Sequence, residues 1–317
     1  MQTFCRPVKS GNRVGSIRKE QLKYVKRELH VALLAIAIAS ALMILPVATA
    51  AGASTLPTAF YLDIGGSASV GYQPTADSPH GQRTDSGYAN YLVAHEAGRG
   101  ITLQLDEIGC AGETTEAMLT GGDACYPPPD SQLNEAIEFL NSHRDESVLV
   151  TVDLGFNDIL PCLQDQRVNR TCVGAHMATV RSQLPEILSA LKAAASPNVV
   201  FVGVGHYDPY LAYSLEGPSG EAFADESHYV IEQLDRTLAD IYSDDAIPMA
   251  NVGAAFNADD TDPVALAGYG VVPDNVAEVC LMTWMCQTYP YGRNMHPNDA
   301  GYETIADAIA AELPSTW

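Results

Sequence analysis

Four short stretches of this 317-residue chain carry groups that could do chemistry together. They are "LDIGGSAS" with Ser67, "GCAGETT" with Gly112, "GFNDI" with Asn157 and "GRNMHPNDAGY" with His296. A serine hydroxyl becomes a competent nucleophile only when a base within hydrogen-bond reach takes its proton, and histidine has the pKa to take and return it. The oxyanion that follows attack on a carbonyl needs donors already aimed at it. The backbone amides of Ser67 and Gly112 and the side-chain amide of Asn157 would supply three. The set suits acyl transfer, with Ser67 as nucleophile and His296 as base, and activity should rise with pH through ~6.5. This chemistry requires no cofactor. A metal site is not expected either, since His80, His95, His143, His176 and His228 show no metal-ligand spacing.

These groups must be held by rigid elements. The runs "AFYLDIGG", "ITLQLDEIG", "SVLVTVDLG", "NVVFVGVG" and "IPMANVGAAF" read as strands. Helix-period segments separate them: "YANYLVAHEA", "QLNEAIEFLNSH", "ATVRSQLPEILSALKAAA" and "YVIEQLDRTLADIYSD", with "AGYETIADAIAAEL" last. Regular alternation of the two predicts an α/β fold, a mostly parallel five-stranded sheet with helices on both faces. Ligands of such sheets sit at the carboxyl ends of the strands. Ser67, Gly112 and Asn157 each follow a predicted strand, and His296 precedes the last helix. Residues 206–222 and 257–297, rich in Gly, Pro and Asp, read as long irregular loops of the kind that carry function.

The chain opens with a basic segment, then "VALLAIAIASALMILPVATAAGAS", the order of a secretory signal peptide. Residues 1–50 are assigned to it, with an uncleaved anchor as the alternative, and residues 51–317 to one domain. Without the first 50 residues the chain has 9 basic and 37 acidic residues, with Lys192 its only lysine. Such a surface repels nucleic acid and anionic lipid, so neither is an expected partner, and no stable membrane association is expected after cleavage. The expected state is a secreted monomer. Six cysteines remain: Cys110, Cys125, Cys162, Cys172, Cys280 and Cys286. An even number in an exported chain implies disulfides, of which 15 pairings are possible. Pairing of sequence neighbours, each closing a short loop, is the expectation taken here.

The four blocks, in this order, resemble those of the SGNH hydrolases, or GDSL-type lipases and esterases, from about Phe60 to Ala310. The resemblance implies a flavodoxin-like three-layer α/β/α sandwich. It also implies a Ser67 nucleophile, a His296 base, and an oxyanion hole of Ser67, Gly112 and Asn157, acting on a small-molecule or lipid ester. Three short disulfide loops in a secreted chain are similar to the secreted actinobacterial esterase and lipase branch. A serine of the α/β-hydrolase class would need G-x-S-x-G, and Gly65-Gly66-Ser67-Ala68-Ser69 fails at its last position.

Two positions depart from the family pattern. Gly66 stands where Asp is usual, which implies a changed turn. Arg293 stands three residues before the histidine, where the triad Asp normally lies, and arginine cannot accept a hydrogen bond. The expected histidine orienter is then a backbone carbonyl within 283–293, stiffened by the Cys280–Cys286 loop, with the side-chain oxygen of Asn294 as the alternative. Asp299 reads as the N-terminal charge of the last helix. Asp158 reads as the residue that fixes the turn presenting Asn157. His206 and Asp208 are read either as cleft residues or as turn residues, and Tyr72, Tyr207, Tyr210 and Tyr213 as candidate cleft walls. The rival function is a catalytically inactive surface or carbohydrate-binding module on the same fold.

Overall fold

The computed structural model describes residues 58–315; the segment assigned to a signal peptide lies outside them. Five parallel strands form the central sheet: β1 (Thr58–Gly65), β2 (Thr102–Glu107), β3 (Val148–Asp153), β4 (Val199–Val204) and β5 (Met249–Ala250). Their order is β2-β1-β3-β4-β5. Every residue of β3 is buried, as expected of a central parallel strand covered on both faces. Register is continuous across the middle, with Leu62 opposite Val150 and Thr151 opposite Val202.

The period of two divides each strand between two cores. Leu62, Ile64, Val148, Val150 and Val152 face the apolar stripes of α2 (Gln132–Ser142), α3 (Arg170–Ala194) and α4 (Pro218–Asp244). Tyr61, Leu149, Val202 and Val204 face α1 (Tyr88–Gly98) and α6 (Asp299–Ala311). This is the predicted three-layer sandwich. Each strand therefore stops at the same sheet edge, where the chemical blocks follow.

Three sequence expectations change. The stretch 257–297 contains an antiparallel hairpin, Pro263–Leu266 with Gly270–Pro273, and the helix α5 (Asp274–Met282). These build a small third core around Val272, Val276, Val279 and Met285. Within 206–222, residues Pro209–Glu216 form a 3-10 helix and α4 begins at Pro218. The fifth strand is cut to two residues, because Asn251 caps a short helix over Val252–Ala255 through the Ala254 N–H. The disulfides are Cys110–Cys125, Cys162–Cys172 and Cys280–Cys286, the expected pairs.

Candidate active site

Ser67 and His296, 229 positions apart, meet at the sheet edge with Oγ and Nε2 separated by 2.9 Å. The imidazole Nδ1 lies 2.7 Å from Asn294 Oδ1, which also accepts the His296 backbone N–H at 3.0 Å. Asn294 Nδ2 donates to the His80 carbonyl at 3.0 Å, which fixes the orientation of the amide. An amide oxygen can only accept, so Nδ1 carries the proton and Nε2 is left to accept from Ser67. Of the two candidate orienters, the one observed at Nδ1 is the Asn294 side chain. The surrounding segment is tied down by Trp284, whose N–H donates to the His296 carbonyl at 3.1 Å. His296 is half-buried, with Tyr72 packed on its ring at 4.8 Å between centroids. Loss of water around the ring lowers its pKa to about 4, which corrects the ordinary histidine value expected from sequence.

Arg293 does not face the imidazole. It pairs with Glu216 and lies over the Tyr213 ring, 5.0 Å from the centroid. The positive charge that stood in the place of the triad carboxylate is spent elsewhere.

Gly66 has a steric reason. A Cβ built there would sit 2.6 Å from Asn157 Nδ2, so any side chain at 66 displaces the amide. Asn157 is carried by the short helix Phe156–Ile159, entered through Gly155 at φ +109°. Asp158 then accepts from the Thr115 hydroxyl at 2.6 Å and the Thr115 N–H at 3.1 Å, which ties this turn to the one holding Gly112. Among the described residues, neither the Ser67 nor the Gly112 N–H is spent on another protein group, nor is the Asn157 side chain.

Ser67, Asn157 and His296 line one cleft of about 60 Å³, with Asp153, Phe156, His206, Tyr207 and Met295. Gly112 is not among its lining residues. It stands on the adjoining turn at φ +92°, with open space where a side chain would be. His206 fits both of its readings, since it lines the cleft and donates from Nε2 to the Leu154 carbonyl at 3.2 Å. Burial lowers its pKa to about 4 and raises that of neighbouring Asp153 to about 7. Asp208 stays out of the cleft, accepting from Tyr210 N–H and the Ser227 hydroxyl. Tyr72 and Tyr207 reach the site, whereas Tyr210 and Tyr213 turn to Phe223. Asp299 lies in the first turn of α6, whose cap is Asn298.

Among the described residues, one group free of disulfide-bonded cysteines could hold a cation: His228, Glu232 and Asp259 bring ligand atoms within 4.8 Å of one another. Arg236 is paired with Glu232 at 3.2 Å, so the group already has its counter-charge. Sequence reasoning missed two buried polar residues beneath the site, Glu113 and Gln132. Gln132 gave no signal, since a polar residue in a first helical turn reads as solvated. Glu113 gave a weak one, its place directly after Gly112.

The profile of the GDSL-like Lipase/Acylhydrolase family matches residues 64–304. Among solved structures, an extracellular lipase from Streptomyces rimosus is similar at 17% identity and TM-score 0.51, over 80% of this chain and 100% of that one. A phospholipase A1 from Streptomyces albidoflavus is similar at 19% identity and TM-score 0.49, over 80% and 99%. A catalytic mutant of Axe2, an acetylxylan esterase from Geobacillus stearothermophilus, is similar at 15% identity and TM-score 0.46, over 81% and 95%. No curated protein matches the sequence. At 17% identity the likeness to the Streptomyces rimosus lipase is one of fold.

Proposed function

The chain belongs to the GDSL-like lipase/acylhydrolase family, and from that premise we propose that it is a secreted serine hydrolase cleaving carboxylic esters. The observation that carries the reading is the 2.9 Å contact of Ser67 Oγ with His296 Nε2, its tautomer held by Asn294. Ser67 Oγ attacks the ester carbonyl carbon while its proton passes to Nε2. The oxyanion accepts from the Ser67 and Gly112 amides and from Asn157 Nδ2. Collapse breaks the bond to the alcohol, which leaves with the proton from Nε2. A water then gives its proton to the same nitrogen and attacks the acyl carbon. The carboxylic acid departs, and Ser67 recovers its hydrogen.

Extracellular residence is supported by the three disulfides. Among the described residues no helix is long and apolar enough to cross a membrane. A cleft of about 60 Å³ is small beside the ~300 Å³ of a drug-sized site, which supports short acyl groups over long chains. The intact hydroxyl-imidazole contact supports catalysis over the binding-module reading.

Nitrophenyl esters of graded chain length test this. Turnover of acetate and butyrate should exceed that of palmitate, and Ser67→Ala should lower kcat by ~10⁴-fold or more. Equal turnover by Ser67→Ala would end the proposal.

A further inference from the structure

Gln132, at the start of α2, is fully buried directly beneath the turn that carries Ser67. Its Oε1 accepts from the Gly65 N–H at 2.7 Å, and its Nε2 donates to the Gly65 carbonyl at 3.2 Å. The same Nε2 donates to Glu113 Oε2 at 2.8 Å. The Gly65 carbonyl also accepts from the Cys110 N–H at 3.0 Å. One amide therefore grips both polar atoms of the residue two before the nucleophile and the residue next to Gly112. Asp123 stands behind Glu113, close enough for the two carboxyl groups to act on one another. Glu113 Oε1 and Asp123 Oδ2 are buried oxygens with no hydrogen-bond partner among the described residues. Two carboxylates cannot hydrogen-bond without a proton between them. Asp123 is held in turn by the Cys125 and Tyr126 N–H groups, at 2.8 and 2.7 Å, beside the Cys110–Cys125 disulfide.

We propose that Gln132 and Glu113 are positioning residues that lock the Ser67 turn to the Gly112 turn, and that the lock holds only while one proton joins Glu113 to Asp123. The catalytic part of this rests on the esterase reading above. The linkage itself does not.

The groups acting on Glu113 from the packed elements are Asp123, the neutral amide of Gln132, and Asp158 of the Asn157 turn. Tyr126 and Glu135 lie beyond. Burial, then the neighbouring Asp123 carboxyl, raises the Glu113 pKa to about 9, so the proton is present at neutral pH and leaves in alkali. Loss of the proton sets two carboxylates against each other under the oxyanion loops.

Hydrogen exchange and kinetics, on the full chain with its disulfides intact, test the lock together. In wild type, protection of segments 65–72 and 108–115, corrected for intrinsic exchange, should fall together as pH rises through about 9. Glu113→Gln donates to Asp123 and accepts from Gln132, so it should keep kcat within about threefold at neutral pH and lose the alkaline loosening. Gln132→Leu should lower kcat by ~10²-fold, the scale of a misplaced oxyanion donor, with KM changed less than threefold. Retention of wild-type kcat by Gln132→Leu, or an alkaline transition that persists in Glu113→Gln, would overturn the proposal. If the wild-type chain cleaves no ester, the esterase reading fails. The exchange arm still decides the lock, supporting it if the two segments loosen together and overturning it if they do not.

Discussion

At the level of single residues, the central requirement is that the imidazole keep its proton on the nitrogen away from the serine. Where a carboxylate does this, its replacement by Asn costs ~10⁴ in rate, chiefly through the wrong tautomer. Asn294 escapes that penalty because its Nδ2 is committed to the His80 carbonyl, leaving Oδ1 to face Nδ1. It fixes the tautomer without supplying charge, and the depressed His296 pKa of about 4 agrees with the lack of a neighbouring carboxylate. The pH profile follows with a definite sign. The active form is the neutral imidazole, so the acid limb of kcat/KM should lie well below ~6.5. Asn294→Asp places an anion beside the imidazolium and should move that limb upward by about one to three units. Asn294→Ala should lower kcat by ~10²-fold or more, towards the ~10⁴ of a wrong tautomer. An Asn294→Ala enzyme within threefold of wild type would show that something else orients the ring.

Among the elements, the site is a set of strand tips tied to one another by side chains as well as by backbone bonds such as Cys110 N–H to the Gly65 carbonyl. Asp158 binds the Asn157 turn to Thr115, and Gln132 binds the Ser67 turn to Glu113. Asp158→Ala strands the buried Thr115 N–H without an acceptor and leaves the Thr115 hydroxyl only Gln183 Oε1, at 2.7 Å. Urea unfolding should show a loss of about 1–3 kcal/mol, and kcat should fall with it; unchanged stability would mean the tie is idle. The strands and long helices were legible in sequence because apolar period and composition report burial directly, as in "SVLVTVDLG" and "QLNEAIEFLNSH". The four chemical blocks were legible because each follows a strand or precedes the last helix. The hairpin in "PVALAGYGVVP" was hidden by its Gly and Pro content, although its two apolar arms flank a glycine turn. The Gln132 ties were hidden for a different reason: they join residues 67 positions apart, and nothing local marks a buried amide. Gly66 read as a changed turn in the serine block, and the space a side chain would take there is occupied by the Asn157 amide.

For the whole molecule, buried carboxyls set the response to pH. Burial raises Asp153 and Asp235 to about 7, and Glu113 to about 9. A carboxyl whose folded pKa is raised adds stability below its unfolded pKa and loses it as pH climbs through the folded value. Two histidines, His206 and His296, are lowered to about 4 and act in the opposite sense. Their contribution is complete above ~6.5 and is lost only on acidification. Of these groups only the carboxyls change between about pH 6.5 and 9, so Tm should fall across that range, and a Tm that rises there would contradict the assignment. The acidic surface, 9 basic against 37 acidic residues beyond position 50, adds self-repulsion in the same direction. All of this serves one convergence, a hydroxyl and an imidazole 229 positions apart sharing a proton at one sheet edge. Mass spectrometry of the protein after treatment with a serine-directed phosphonate measures it most directly. A single adduct on Ser67 is expected, forming far more slowly in His296→Ala; an adduct on another residue, or none on folded wild-type protein, would contradict the shared proton.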